Sequence, residues 1–152
     1  MDQIFISGID QYHLLDHYRT AYLSCSFDFR YATVICDPVP EMINDNFGHA
    51  VGDSLIQTMS EKLLAVSNER CRTYRVGGDE FLLILDDPAP GETDQIIHQI
   101  KTELSSGTGT TGLRILAAVG SAEGCGADIR SLIKKADAAM YSDKAKSKEG
   151  RS

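Results

Sequence analysis

Apolar and polar positions alternate along the chain in two distinct rhythms, and the switch between them lays out the elements. From Ile9 to Leu23, Ile9, Tyr12, Leu15, Tyr18 and Tyr22 recur at roughly helical spacing, which predicts an amphipathic helix. Phe29 to Cys36 is β-branched and aromatic and predicts a buried strand, stopped at Asp37-Pro38-Val39-Pro40 because proline cannot donate a ladder hydrogen bond. A short helical piece over Glu41 to Asn46 leads to a break at Gly48. Val51, Leu55, Met59, Leu63 and Val66 then mark one face of a long helix over His49 to Asn68.

Two β-prone runs follow, Cys71 to Val76 and Phe81 to Leu85, joined through Gly77-Gly78. Glycine accepts the positive φ of tight turns, so the pair predicts a β-hairpin. Beyond it, Thr93 is a candidate N-cap for a helix carrying Ile96, Ile97, Ile100 and Leu104. Arg114 to Val119 reads as a strand, Gly120 to Gly126 as a loop, and Asp128 as the cap of a last helix with Ile129, Leu132, Ile133, Ala136 and Met140 on one face.

The strand–helix–hairpin–helix–strand core predicts an α+β fold of ferredoxin-like, split β-α-β type, an antiparallel-containing sheet with flanking helices placed on one side. In that topology the hairpin lies beside the exit of the first strand, bringing Asp79 and Glu80 close to Cys36 and Asp37. The 152 residues read as one domain, 1–152, long enough to bury a core without staples.

Composition narrows the function classes. Hydrophobic residues make up 42% and charged residues 24%, ordinary for a soluble globular protein. There is neither a bilayer-length apolar run nor a basic-then-apolar leader, so no direct membrane insertion and a cytoplasmic location are expected. A net charge of −7 argues against nucleic acid as a partner. The basic cluster from Lys144 to Arg151 is read as a solvated helix end. Cys25, Cys36, Cys71 and Cys125 lack metal-site spacing and are read as reduced thiols. His13 and His17, with Asp16 between, resemble two zinc ligands one turn apart, but without a third ligand a surface helix face is the better reading.

The remaining chemistry is concentrated in Gly77-Gly78-Asp79-Glu80. Adjacent carboxylates repel and sit most comfortably where a cation or a proton transfer uses them. A solvated turn explains the tetrapeptide equally well by itself. Two other stretches decide the matter. Arg75-Val76-Gly77-Gly78-Asp79-Glu80-Phe81 resembles the signature of GGDEF domains, the diguanylate cyclases. Ile43 to Asp53 is similar to the family's I-N-D-x-x-G-H-x-x-G-D stretch, and Ala136-Asp137-Ala138-Ala139-Met140-Tyr141 to its A-D-x-A-M-Y helix.

The resemblance implies a core akin to nucleotidyl cyclases and polymerase palms, and the condensation of two GTP into cyclic di-GMP with loss of pyrophosphate. It implies Mg²⁺ or Mn²⁺, GTP as substrate, a homodimer for turnover, and a regulatory sensor domain in a longer signalling protein. Carried over by position, Asp79 and Glu80 are catalytic and ligate metal, with Glu80 also available to deprotonate the attacking hydroxyl. Asn44 and Asp53 read the guanine edge, while Gly77, Gly78, Lys144 and Lys148 complete the substrate site.

Departures from the family pattern gather at the metal and phosphate end. The family's strand-end Asp falls on Cys36, a soft ligand where Mg²⁺ prefers oxygen. Asp37 replaces it only if Pro38 re-routes the strand exit, since a one-residue step points the side chain to the other face. Pro40 removes a backbone donor from the phosphate cradle, and Glu41 stands where the family has lysine. Lys148 keeps a charge where the family has an arginine fork. The family's inhibitory R-x-x-D maps onto Asn68-Glu69-Arg70-Cys71, so no product inhibition is expected there. Together these predict a weakly active diguanylate cyclase domain, or a degenerate one that serves as a guanine-nucleotide-binding or protein-interaction module.

Overall fold

The computed structural model describes residues 30–38, 48–76, 79–107, 112, 114–125 and 129–149, with the side chains of 30, 37, 48–53, 125, 129 and 147–149 outside that description. The expected helices over Ile9 to Leu23 and Glu41 to Asn46 lie outside these residues. In chain order the elements are β1 (Arg30–Pro38), α1 (Gly48–Val66), β2 (Cys71–Arg75), β3 (Phe81–Asp86), α2 (Glu92–Ser105), β4 (Ala117–Cys125) and α3 (Ile129–Glu149). The four strands form one sheet in the order β2-β3-β1-β4, every neighbouring pair antiparallel. This is the ferredoxin-like arrangement expected from the order of elements. No described helix is long and apolar enough to cross a membrane.

Helices cover both faces of the sheet, which corrects the one-sided expectation. Ala32, Val34, Cys36, Phe81, Leu83 and Leu85 pack with Leu55, Met59 and Leu63 of α1 and Ile96, Ile100 and Leu104 of α2. Tyr31, Ile35, Leu82 and Ile84 pack with Leu132, Ala136 and Met140 of α3 on the other face. The cause is written in β3, where Phe81 to Leu85 are all apolar and all buried. A strand that is apolar at odd and even positions alike needs cover on both sides. Thr33, the polar residue among these buried strand positions, satisfies its hydroxyl by donating to the Leu132 carbonyl of α3 at 3.1 Å.

Four element boundaries differ from the sequence reading. Strand β1 runs on through Asp37 and Pro38, opposite Ala118 and Ala117 of β4, rather than stopping after Cys36. Helix α1 ends at Val66 rather than Asn68. The Ser67 hydroxyl donates to the Leu63 carbonyl at 2.8 Å, and the Asn68 side-chain oxygen accepts the amides of Arg70 at 2.8 Å and Cys71 at 3.0 Å. Side chains of this type compete with the helix for backbone partners and end it. Helix α2 is capped by Gly91, at φ 80°, and not by Thr93. The left-handed turn there needs glycine, and the Glu92 carboxylate accepts the Ala89 amide at 2.7 Å. Thr93 is instead buried, its hydroxyl donating to the Glu123 carboxylate.

Strand β4 runs from Ala117 to Cys125, through the stretch expected to be a loop. Its glycines are contact points rather than breaks. A Cβ on Gly120 would stand 2.1 Å from the Met140 amide nitrogen and 2.2 Å from the Ala136 carbonyl oxygen. The missing side chain lets the α3 backbone lie directly on the strand.

Candidate functional site

The hairpin that carries the two acids is fixed by backbone geometry on both sides. Arg75 pairs with Phe81, and the Val76 amide donates to the Glu80 carbonyl at 2.9 Å, one step nearer the turn. On its other edge β3 pairs with β1, with Phe81 opposite Cys36. That pair ends the β1–β3 ladder, and Glu80 is the next residue toward the turn. The topology thus brings the acidic turn to the exit of the first strand, as the order of elements predicts.

Asp79 is exposed and Glu80 half-buried. Their neighbours divide between the sheet faces, as alternate residues of a strand must. Phe81 belongs with Cys36 to the core beneath α1 and α2, whereas Leu82 belongs to the core beneath α3. Glu80 lines a groove of about 340 Å³ on the α3 side, floored by Ile35 and Leu82 and rimmed by Val76. Across the groove stand Ile133, Lys134, Asp137 and Tyr141 of α3. Val76 and Tyr141 are 41% and 61% exposed, two of the large hydrophobic side chains left open among the described residues. Asp137 and Tyr141 are legible beforehand only as letters of a motif. Their position beside Glu80 follows from helical spacing, since 134, 137 and 141 repeat on one face.

The other singled-out residues are distributed as follows. Asp37 is the penultimate residue of β1 and Asp53 lies in the second turn of α1, both placed by backbone position. Lys144 is half-buried on α3, and Lys148 is one turn further along that helix. Asn44, Gly77 and Gly78 lie outside the described residues. Among the described residues no group of three or more His, Cys, Asp or Glu side chains is gathered as a metal site.

Cys36 is fully buried in the apolar cluster below α1. A carboxylate at this position would face the same apolar neighbours. Cys71, at the far end of the hairpin, is also buried, and burial first, then Glu92 and Asp86, pushes its thiol up to about 11. Such a thiol stays protonated near neutrality and is no nucleophile.

The positions matching the family's inhibitory motif have structural work of their own. Asn68 turns back on the backbone, and Cys71 is in the core. Between them Arg70 forks onto the two Glu92 oxygens at 3.1 and 3.2 Å and onto the carbonyls of Asp86 and Asp87 at 3.1 and 2.8 Å. That clamp ties the end of β3 to the start of α2.

Residues 40–150 match the family described as diguanylate cyclase, GGDEF domain. The chain is 37% identical over 116 residues to the signaling protein YkoW of Bacillus subtilis, a match covering 71% of this chain and 14% of YkoW. It is 30% identical over 112 residues to the bifunctional diguanylate cyclase/cyclic di-GMP phosphodiesterase MucR of Pseudomonas aeruginosa, covering 71% of this chain and 16% of MucR. The chain therefore spans about a sixth or less of the length of these relatives. In fold it is similar to the GGDEF domain of DgcB from Caulobacter crescentus, solved in complex with c-di-GMP, with a TM-score of 0.75 at 22% identity over 95% of this chain and 94% of that one. With the acidic hairpin in register against the strand exit, and a family match over most of its length, the chain belongs to the GGDEF family of diguanylate cyclase domains.

Proposed function

We propose that this domain is a slow diguanylate cyclase, condensing two GTP into cyclic di-GMP and two pyrophosphates within a facing pair of subunits. The observation that carries the reading is the hairpin closed by Val76 and Glu80 and held opposite the end of β1. Backbone pairing on both edges of β3 supports this reading by anchoring Phe81 and the Glu80 carbonyl beside the acidic turn without help from a ligand, and preorganised groups are what phosphate chemistry uses.

The 3′-hydroxyl of each GTP attacks the α-phosphorus of the other; the P–O bond to the departing pyrophosphate breaks, and the hydroxyl proton passes to Glu80. Asn44 and Asp53 take the guanine edge, whose mixture of acceptors and N–H donors suits an amide and a carboxylate. Gly77 and Gly78 leave room for the nucleotide, and Lys144 and Lys148 hold the terminal phosphates. The exposed Asp79 and half-buried Glu80 fit Mg²⁺ or Mn²⁺, because a hard cation at such sites takes one or two carboxylates together with substrate phosphates. Asp37 stays outside this set, since β1 runs regularly through Pro38 and its exit is not re-routed there. When bound, the metal offsets charge on the phosphate oxygens. A sensor domain elsewhere in a longer cytoplasmic signalling protein brings the two copies together.

A second reading is favoured by Cys36. Its buried thiol, packed among apolar side chains, supplies no hard oxygen where the family has Asp. On that reading the domain binds a guanine nucleotide, or a protein partner, without turnover. Incubating a forcibly dimerised form with GTP and Mg²⁺ or Mn²⁺, and assaying cyclic di-GMP and pyrophosphate, separates the two. Product supports the cyclase. Its absence, with GTP binding still visible by calorimetry, leaves the regulatory reading.

A further inference from the structure

Strand β4 is an outer strand of the sheet, and Val119 within it stands directly opposite Cys36. Its amide, turned away from β1, donates to the Asp143 carboxylate of α3 at 2.9 Å. The same carboxylate oxygen accepts the Lys101 ammonium of α2 at 3.2 Å. Helices α2 and α3 lie on opposite faces, so Asp143 reaches round the free edge of the sheet and joins three elements at one point.

One turn earlier α3 already rests on β4 through Gly120, where the backbones of Ala136 and Met140 leave no space for a Cβ. Gly120 sets the depth of that contact. It does not by itself stop the helix sliding or turning along the strand, because the contact is van der Waals. The charge-assisted bond from Val119 to Asp143 is directional and fixes the turn that carries Lys144. Lys101, whose side chain is 45% exposed, adds little through screened charge but holds the carboxylate in place.

We propose that Asp143 is a positioning residue for the phosphate end of the site, holding Lys144 and Lys148 at the level of the β1 exit. This rests on the reading of the domain as a nucleotide binder. Asp143 touches neither the substrate nor the reacting atoms; it acts through the helix.

The test compares GTP with guanosine, which shares the base and ribose and lacks the phosphates. Calorimetry with Mg²⁺ on the full chain is run for wild type, Asp143→Ala, Asp143→Asn and Lys101→Ala. Asp143→Ala is expected to weaken GTP roughly three- to ten-fold and to leave guanosine unchanged. Asp143→Asn, whose amide oxygen still accepts the Val119 amide, is expected to stay within about two-fold of wild type for GTP, as is Lys101→Ala. Asp143→Ser, too short to reach Val119, replaces Asp143→Ala if that variant does not fold. Equal weakening of both ligands, or none, overturns the assignment and marks Asp143 as a structural tether. Wild type that binds neither ligand overturns the nucleotide reading itself, and the assignment falls with it.

Discussion

Cys36 stands opposite Phe81 in the β1–β3 ladder, and the two are packed in the same buried cluster, one residue short of the acidic turn. A thiol is at ease there, whereas an ionised carboxylate is not. Restoring the family's Asp at this position is therefore expected to cost about 3 kcal/mol or more of stability in the absence of metal. Urea unfolding of Cys36→Asp, with and without Mn²⁺ and GTP, reads the effect, and recovery only when both are present is the expected pattern. Combined with Glu41→Lys, the change should raise metal-dependent affinity for GTP. An unchanged affinity would count against Cys36 and Glu41 as the residues that weaken the proposed metal and phosphate end of the site.

The sequence made the order of elements legible because apolar spacing changes cleanly between strands and helices. What it concealed were positions whose meaning depends on a distant neighbour. Gly120 has the chemistry of a turn residue, yet it lies inside β4 because Ala136 and Met140 press on it from α3. Thr93 has the chemistry of an N-cap, yet Gly91 supplies the left-handed turn and Thr93 faces Glu123. At the site, Asp79 and Glu80 are visible as a motif, while the α3 wall of the groove beside Glu80 needs the three-dimensional packing. Asp143 carries no signal at all, since its partners are an amide in β4 and a lysine in α2.

The two glycines of β4 give a paired test of helix–strand contact. Gly120→Ala places a methyl against backbone atoms of α3, which cannot rotate away, and is expected to destabilise by roughly 1–3 kcal/mol or more. At Gly124 the added carbon would meet the Leu132 Cδ2 atom at 2.7 Å, the far end of a flexible side chain. Gly124→Ala should therefore cost clearly less. Chemical denaturation of both variants decides it, and equal losses would refute the contact-based account.

The buried Cys71 thiol has an alkaline signature. Its folded-state pKa of about 11 lies above the ordinary 9.0, raised chiefly by burial and then by Glu92 and Asp86. A raised pKa means that its contribution is complete below pH 9 and lost as pH climbs toward 11, a change of roughly 2 to 3 kcal/mol. Cys71→Ala should flatten the fall in stability over that window relative to wild type. At pH 7.5 a maleimide should leave Cys71 unlabelled in the folded protein and react once urea unfolds it. Rapid labelling under native conditions would contradict the burial.

At acid pH the corner formed by Arg70 and Glu92 governs a different loss. The Ala89 amide first, and the Arg70 side chain second, hold the Glu92 carboxyl below its ordinary 4.5. A depressed pKa contributes stability that is present above pH 4.5 and disappears as pH falls through the folded-state value. Protonation removes the acceptor for the Ala89 amide and frees Arg70 from its fork, loosening the junction of β3 with α2. Urea midpoints measured from pH 6 to pH 3 should fall more steeply for wild type than for Glu92→Gln, with the two curves converging at the acid end. Arg70→Lys, which keeps the charge but not the fork, should lower the midpoint at pH 6 because the Asp86 and Asp87 carbonyls lose a shared donor. Parallel curves for wild type and Glu92→Gln would show that this carboxylate has no part in the acid transition.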